Sequence, residues 1–328
     1  MVSLQRHQEK LSIGKHGLRV SRLGVGTAAL GGLFRSVPES ASDELLRAAF
    51  QAGIRYLDTA PLYGHGRSER RVGRVLADDH PGDLVISTKV GRLLRPATEA
   101  AESIFEDRDP YDVVFDFSAD GVRRSLTDSL ARLGVERVDL LYIHDPDDHA
   151  EQALREAYPA LAQLREEGVV GAIGIGMNQS RVPTRFVEEA DIDVVLIAGR
   201  YTLLDQSAQA DLLPAAQRRG VSVVAAGVYN SGVLLDPVAG TYDYAAAADD
   251  IRQRAQEVRE VVAAYGVPVA AAGLQFPLRH PAVDVILAGP RNSEELQENI
   301  AAFNYPVPEE LWQELEQRGL VAPVTAAG

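Results

Sequence analysis

Four side chains suited to proton transfer stand near the ends of apolar segments. Asp58, Lys89 and His144 each end a short apolar run or stand next to its end, and Tyr63 follows Asp58 in a loop. A buried carboxylate is costly unless it is paired, so we expect Lys89 to pair with Asp58. The ammonium charge would also lower the pKa of a nearby phenol, which makes Tyr63 the expected acid–base group.

This set of residue types suits the chemistry of an alcohol or a carbonyl group. Tyr63 would exchange a proton with the substrate oxygen, and His144 would donate a hydrogen bond to that oxygen. None of the four side chains can itself accept a hydride. A redox reaction at this site therefore requires a bound cofactor.

Eight short apolar segments, each followed by a helical pattern, would position these residues. They start at Leu23, Tyr56, Leu84, Val138, Gly171, Val194, Val221 and Val283. Segments that are apolar throughout are typical of a parallel sheet covered on both faces. We predict an α/β fold, a (β/α)8 TIM barrel preceded by a β-hairpin at residues 11–20, in which the C-terminal strand ends share one rim. A Rossmann fold fits less well, because no G-x-G-x-x-G motif follows the first segment.

The chain is expected to form one domain, residues 1–328, with two long irregular segments. These segments, 92–117 and 230–246, show no clear periodicity, and loops of this length are often lids or binding segments. Residues 151–167 are expected to form one continuous helix. His65, close to Tyr63, is expected to be an exposed loop histidine.

The composition limits the possible partners. With 328 residues, 46% of them hydrophobic, the chain can bury a large core. A net charge of −14 argues against nucleic acid and anionic membranes as partners. The absence of cysteine excludes thiol catalysis, thiolate metal sites and disulfides. Without a signal peptide or a spanning apolar run, we expect a cytoplasmic protein with no metal site, as a monomer or a small homo-oligomer.

The motifs together resemble the aldo-keto reductase superfamily over nearly the whole chain. The resemblance is carried by the segments DTA with YG around Asp58 and Tyr63, TK at Lys89, LLYIH at His144, and GPRN before EN near the C-terminus. The segments DFS, HDP, GMNQ and AGRYTLL are similar to a narrower branch that contains L-fucose (D-threo-aldose), L-galactose and pyridoxal 4-dehydrogenases. The resemblance implies that Asp58, Tyr63, Lys89 and His144 form the catalytic tetrad.

The resemblance also implies a nicotinamide dinucleotide cofactor. The residues implied in binding it are Gly26, Thr27, Asn178, Tyr229, Ser231, Gly232, Gly289, Pro290, Arg291, Asn292, Glu295, Glu298 and Asn299. Ala226 stands where many members carry an aromatic ring that stacks on the nicotinamide, and Tyr229 is the expected replacement. Ala198 stands where they often carry a glutamine that holds the carboxamide.

Cofactor choice is expected to depend on the last strand and helix. NADP-specific members often carry a lysine at the position of Gly289 and an arginine at the position of Glu295, and this chain has neither. Glu295 would repel a 2′-phosphate and could accept a hydrogen bond from a ribose 2′-hydroxyl. We therefore predict NAD as the preferred cofactor, with NADP possible because Arg291 is close enough to meet a phosphate.

The resemblance implies an enzyme that oxidises the anomeric hydroxyl of a free aldose to the lactone, with a small sugar or aldehyde as substrate. Alternatives are a pyridoxal 4-dehydrogenase and an NADPH-dependent carbonyl reductase. A non-enzymatic, nucleotide-binding regulatory subunit is less consistent with a complete tetrad.

Overall fold

A closed barrel of eight parallel strands forms the centre of the computed structural model, which describes residues 5–97, 103–243 and 245–324. In chain order the strands of these residues are β1 Lys10–Ile13, β2 Leu18–Ser21, β3 Leu23–Gly26, β4 Tyr56–Asp58, β5 Val85–Val90, β6 Arg92–Pro96, β7 Tyr111–Phe115, β8 Leu140–His144, β9 Ala172–Met177, β10 Val194–Ala198, β11 Ser222–Ala226, β12 Thr241–Tyr242, β13 Ala245–Ala246 and β14 Val283–Ala288. Around the barrel the order is β3, β4, β5, β8, β9, β10, β11, β14, and β14 pairs with β3 to close it. The predicted (β/α)8 barrel is confirmed.

Helices surround the barrel and cover its outer face. They are α1 Glu39–Gln51, α2 Arg67–Asp78, α3 Ala119–Leu133, α4 Ala150–Gln152, α5 Tyr158–Glu166, α6 Arg181–Glu189, α7 Leu212–Arg219, α8 Asp249–Ala264, α9 Val269–Gln275, α10 Ser293–Asn304 and α11 Glu309–Gln317. Among the residues that the structure describes, no single helix is long and apolar enough to cross a membrane. The helix α8 and the following helical segment 269–279 reach that length and hydropathy only as a pair, which is bent by 105°.

The N-terminal hairpin, β1 and β2, is confirmed and closes one end of the barrel. Ile13 and Val20 are fully buried and pack against side chains inside the barrel, including Val194 and Val285. The turn of the hairpin is fixed to the starts of barrel strands, since Gly14 N donates to Ser222 Oγ at 3.0 Å. Because the hairpin covers this end, the C-terminal strand ends form the open rim.

Three expectations about secondary structure were wrong. Segment 92–117, expected to be irregular, contains the antiparallel pair β6 and β7, and its residues 98–102 lie outside the described chain. Segment 230–246, also expected to be irregular, contains the short antiparallel pair β12 and β13, and its residue 244 lies outside the described chain. Because β6 and β7 are joined by a long connection, the sequence contains no short turn motif that would predict a hairpin here. The helix expected at 151–167 is interrupted by a π-helical turn, Ala153–Ala157, between α4 and α5.

Candidate active site

A buried ion pair occupies the C-terminal ends of β4 and β5. Lys89 Nζ donates to Asp58 Oδ2 at 2.6 Å and to the Thr59 carbonyl at 2.8 Å. The two side chains are only 1% and 4% exposed, so the pair is shielded from water and from salt. The structure therefore brings Lys89 and Asp58 together as the sequence predicted.

A chain of hydroxyl groups holds the second oxygen of Asp58. Ser87 Oγ donates to Asp58 Oδ1 at 2.7 Å and lies 3.2 Å from the Tyr56 hydroxyl, which lies 3.0 Å from the hydroxyl of Tyr142. Burial raises the pKa of both phenols, so they remain neutral donors. Sequence reasoning missed these residues, although a serine inside an otherwise apolar strand was a usable signal.

Tyr63 lies on the loop after β4, above the ion pair. Lys89 Nζ is 4.7 Å from the centroid of the Tyr63 ring, and the His144 ring meets it edge-on at a centroid distance of 5.9 Å. His144 ends β8, the neighbour of β5 in the barrel. All four predicted tetrad residues thus converge on one place at the open rim.

His144 is neutral in this environment. Burial lowers its pKa well below the usual value, and the positive charges of Arg92 and Lys89 lower it further. Its Nε2 lies 3.3 Å from Asp145 Oδ2, whereas Nδ1 is buried without a hydrogen-bond partner among the described residues. The proton therefore belongs on Nε2, where His144 can serve as a hydrogen-bond donor.

A cavity of about 250 Å³ opens between these side chains. Within the described chain it is lined by Ala28, Leu33, Leu62, Tyr63, Lys89, Arg92, Ile104, Phe105, His144, Asp145, Gly176, Met177, Asn178, Leu196 and Ala198. Part of this lining is apolar, and Arg92 and Asp145 contribute charged side chains to it. In the described residues no group of three or more histidine or acidic side chains could hold a metal ion.

Arg92 and Asp145 were not predicted as site residues. Asp145 directly follows His144, and Arg92 starts β6 three residues after Lys89. Each therefore follows a tetrad residue at a strand end, which is the signal that could have identified them.

The expectation for His65 was wrong, because this residue is buried. Its ring packs against Phe105 and its Nδ1 contacts the Tyr111 carbonyl, while Nε2 lies 3.3 Å from Ser103 Oγ. Burial accordingly lowers the pKa of His65. The residue ties the loop of Tyr63 to the segment that contains β7.

Two glycines, Gly26 and Gly289, stand at the ends of strands where a dinucleotide was expected to bind. Gly26 ends β3, and Gly289 directly follows β14, the neighbouring strand. A methyl group added at either glycine would come no closer than 3.8 Å to another heavy atom. Thr27, by contrast, is fully buried and its hydroxyl donates to the Asp58 carbonyl at 3.0 Å, so it fastens the end of β3 to β4.

Glu295 and Arg291 are in contact at the start of α10. Asn292 caps the helix by accepting from Glu295 N at 2.8 Å, and Glu295 Oε2 accepts from Arg291 N at 2.8 Å. The Arg291 guanidinium is 3.7 Å from the same carboxylate, and its Nε is buried without a partner among the described residues. Pro290 links Gly289 to this cluster.

Tyr229 points toward α10. Its hydroxyl donates to Asn299 Oδ1 at 3.1 Å, and burial together with the nearby Glu298 carboxylate raises its pKa. Tyr229 is not among the described residues that line the cavity. Ser231 and Gly232, the next predicted residues, adopt left-handed backbone conformations with φ of 56° and 100°.

Asn178 follows β9 and lines the cavity. Its backbone carbonyl accepts from Arg200 Nε at 2.6 Å, which fixes the chain at this position. Its carboxamide forms no hydrogen bond within the part of the chain that the structure describes. An unpaired carboxamide in the cavity of Tyr63, two glycines with free space where a side chain would stand, and the Arg291 guanidinium at the start of α10 fit a dinucleotide with a carboxamide at one end and phosphates at the other.

Comparisons with known proteins agree with this arrangement. The model of the aldo/keto reductase family matches residues 22–318. Pyridoxal 4-dehydrogenase from Microbacterium luteolum is 42% identical over 96% of this chain and 98% of that protein. D-threo-aldose 1-dehydrogenase from a Pseudomonas species is 41% identical over 93% and 96%, and L-galactose dehydrogenase from Arabidopsis thaliana is 30% identical over 90% and 88%.

Proposed function

The chain belongs to the aldo/keto reductase family and is an NAD(P)-dependent oxidoreductase, and we propose that it oxidises the anomeric hydroxyl of a free aldose to the lactone. The observation that carries this proposal is the cavity lined by Tyr63, Lys89 and His144. The charged side chains of Arg92 and Asp145 line the same cavity. Relatives at 41% and 30% identity are named for the oxidation of aldoses. The sugars considered are of the L-fucose, L-galactose and D-arabinose type.

Tyr63 is the proposed base. It would take the proton from the anomeric hydroxyl, and the Lys89 ammonium, 4.7 Å from its ring, would favour the phenolate that this step needs. Asp58 would hold Lys89 in place through the buried 2.6 Å contact. Ionising a phenol next to a fixed positive charge costs less than ionising it alone, because the charge is already in place.

His144 is the proposed orienting donor. Because burial lowers its pKa, its ring stays neutral, and Nε2–H can bind the substrate oxygen without carrying a charge. When bound, the nicotinamide supplies the hydride acceptor that alcohol oxidation requires. Asn178 would hold its carboxamide, Gly26 and Gly289 would admit the dinucleotide against the backbone, and Arg291 would meet a phosphate.

We further propose that NAD is preferred over NADP. Glu295 places a negative charge at the start of α10, and it already neutralises part of the Arg291 charge at 3.7 Å. A 2′-phosphate at this position would meet that carboxylate, whereas a 2′-hydroxyl could donate to it. We also propose that the enzyme acts in the cytoplasm, as a monomer or a small homo-oligomer, without nucleic acid or membrane partners.

Pyridoxal oxidation is the second candidate. The relative at 42% identity is named for it, and the apolar cavity wall formed by Leu33, Leu62 and Phe105 could pack on an aromatic ring. Carbonyl reduction with NADPH uses the same tetrad in the opposite direction. A regulatory subunit without activity would not need a buried Lys89–Asp58 pair next to Tyr63.

A substrate panel tests the proposal. The purified protein is mixed with NAD or NADP and with L-fucose, L-galactose, D-arabinose, pyridoxal or simple aliphatic alcohols, and formation of the reduced cofactor is followed by absorbance. We expect turnover with at least one aldose and NAD, and a lactone as the product. Turnover of pyridoxal with no turnover of any aldose would replace the proposal by its alternative.

A further inference from the structure

We propose that Arg92 and Asp145 together recognise substrate hydroxyl groups next to the reacting carbon, which makes them the specificity-determining pair of this site. The inference rests on the proposed aldose oxidation and extends it to the part of the sugar beyond the anomeric centre. It follows from the position and the unmet hydrogen-bonding capacity of these two residues and from the backbone strain at Asp145.

The pair lies in the same cavity as the tetrad. Arg92 NH2 donates to Asp145 Oδ2 at 2.8 Å, and both side chains line the cavity with Tyr63 and His144. The side chains are 13% and 23% exposed, so they are largely withdrawn from bulk water but still reachable from the cavity. The Arg92 guanidinium also lies over the Phe115 ring at 5.0 Å, which limits its freedom.

Both members retain unused hydrogen-bonding capacity. Among the described residues the Arg92 side chain donates only through NH2, to Asp145, and its NH1 forms no hydrogen bond. Asp145 Oδ2 accepts from Arg92 and lies 3.3 Å from His144 Nε2, and in the described chain Oδ1 accepts no hydrogen bond. A hydroxyl group donates and accepts at once, so it can satisfy a carboxylate oxygen and a guanidinium N–H together. Two neighbouring hydroxyls on an aldose match this pair better than a single carbonyl does.

The backbone of Asp145 is held in a costly conformation. Its φ is 41°, in the left-handed region that residues other than glycine rarely adopt, and it follows directly on the last residue of β8. Asp145 N donates to the Gly176 carbonyl at 3.0 Å, which fixes this geometry. Such strain persists where the surrounding structure imposes it, and it is concentrated at functional sites. In this conformation the Asp145 carboxylate lies next to His144, with Oδ2 3.3 Å from Nε2.

The charge of the Asp145 carboxylate depends on Arg92. Burial raises its pKa, while the Arg92 charge opposes that rise. Without Arg92 the carboxylate would lose its main counter-charge at the cavity wall. The two residues therefore act together, and replacing either one should affect recognition by the other.

The test is a cycle that combines protein variants with substrate variants. The value of kcat/KM is measured for wild type, Asp145→Asn and Arg92→Met with the best aldose and with each of its monodeoxy analogues. A hydroxyl bound by a charged group should be worth about 10- to 100-fold in kcat/KM to the wild type. We expect at least one analogue to show this penalty in the wild type and less than about 3-fold in Asp145→Asn, because the neutral amide no longer presents a charged acceptor to that hydroxyl.

A matched control is Asp148→Asn, which makes the same chemical change at an exposed position three residues away and should retain the wild-type penalty. If turnover of Asp145→Asn is too slow to measure, the same comparison is made by calorimetric binding of each sugar to the NAD-loaded Tyr63→Phe and Tyr63→Phe/Asp145→Asn proteins. Equal penalties in wild type and both variants for every analogue would overturn this inference alone. A wild-type enzyme that oxidises no aldose would overturn it together with the proposed function.

Discussion

At the scale of single residues, the buried Lys89–Asp58 pair is the feature that, in the proposed mechanism, sets how readily Tyr63 releases and accepts a proton. The pair was predicted from residue types alone, because a strand-end carboxylate in an apolar run requires a counter-charge. The hydroxyl chain through Ser87 was not predicted, since a serine in a strand is compatible with many packings. The fourth member, His144, was predicted by position, but its neutral state follows from its burial and from the nearby charges of Arg92 and Lys89, which lower its pKa.

Lys89→Met should shift the pH dependence of turnover. Without the ammonium charge the Tyr63 phenolate loses its stabilisation, so the rise in oxidation rate with pH should move to higher pH, and turnover near neutrality should fall by about 10²-fold. The measurement is a pH–rate profile with a saturating aldose. Because Asp58 would be left buried and unpaired, Lys89→Met/Asp58→Asn serves as the better-folded second variant. A profile unchanged in both variants would show that Lys89 does not tune Tyr63.

Glu295→Arg should shift cofactor preference toward NADP. The substitution removes the carboxylate beside Arg291 and adds a second positive charge for a 2′-phosphate. We expect the ratio of kcat/KM for NAD to that for NADP to fall by about tenfold or more, in line with one charged contact. Glu294→Arg, one position earlier and exposed, is the control for a nonspecific charge effect. Wild-type preference for NADP, or the same shift in both variants, would contradict the role of Glu295.

At the scale of elements, the barrel strands were predictable and the hairpin β6–β7 was not. Apolar runs such as 84–90 and 138–144 are unambiguous because a parallel strand is buried on both faces. In β6 and β7 the side chains are mostly half-buried or exposed and the connection is long, so neither periodicity nor a turn motif is visible. This hairpin carries Arg92, so treating segment 92–117 as a loop left only the position of Arg92, just after Lys89, as a signal for its place in the cavity.

Gly91→Ala should disrupt the entry to this hairpin. Gly91 has a φ of 100°, and an added Cβ would lie 2.1 Å from the fully buried Phe117 ring. Backbone strain and overpacking together should lower the free energy of unfolding by about 2–5 kcal/mol. Urea denaturation measures this change. Gly134→Ala, with a φ of 65° and no heavy atom within 4 Å of the added carbon, is the matched control and should cost about 1–2 kcal/mol. Equal losses would show that Phe117 yields to the new methyl group.

At the scale of the whole molecule, the hairpin that closes the barrel and the candidate active site lie at opposite ends of the barrel. The hairpin β1–β2 closes one end with Ile13 and Val20, while the tetrad occupies the other rim. The fold class and the tetrad could be predicted because both depend on strand ends that alternate with helices along the chain. The orientation of Tyr229 toward Asn299 could not, since it depends on packing between distant segments.

Ile13→Ala should lower stability without lowering activity. Deleting a fully buried side chain leaves a cavity in the barrel interior and should lower the free energy of unfolding by about 2–5 kcal/mol. Because Ile13 lies at the closed end, kcat/KM at a temperature where the variant is folded should stay within about twofold of wild type. Val238→Ala, at a side chain that is 87% exposed, should leave stability within about 0.5 kcal/mol. A large loss of activity in folded Ile13→Ala would contradict this separation.

Turnover of Tyr63→Phe is the most direct test of the central claim, that Tyr63 takes the proton of an alcohol whose hydride passes to the nicotinamide cofactor. The substitution removes one hydroxyl and keeps the ring that packs near Phe105 and His144. We expect turnover of the best aldose to fall by about 10²-fold or more, while the dissociation constant for NAD stays within about twofold of wild type. Tyr265→Phe, at a partly exposed tyrosine, is the control and should keep full activity. Near-wild-type turnover by Tyr63→Phe would contradict the account.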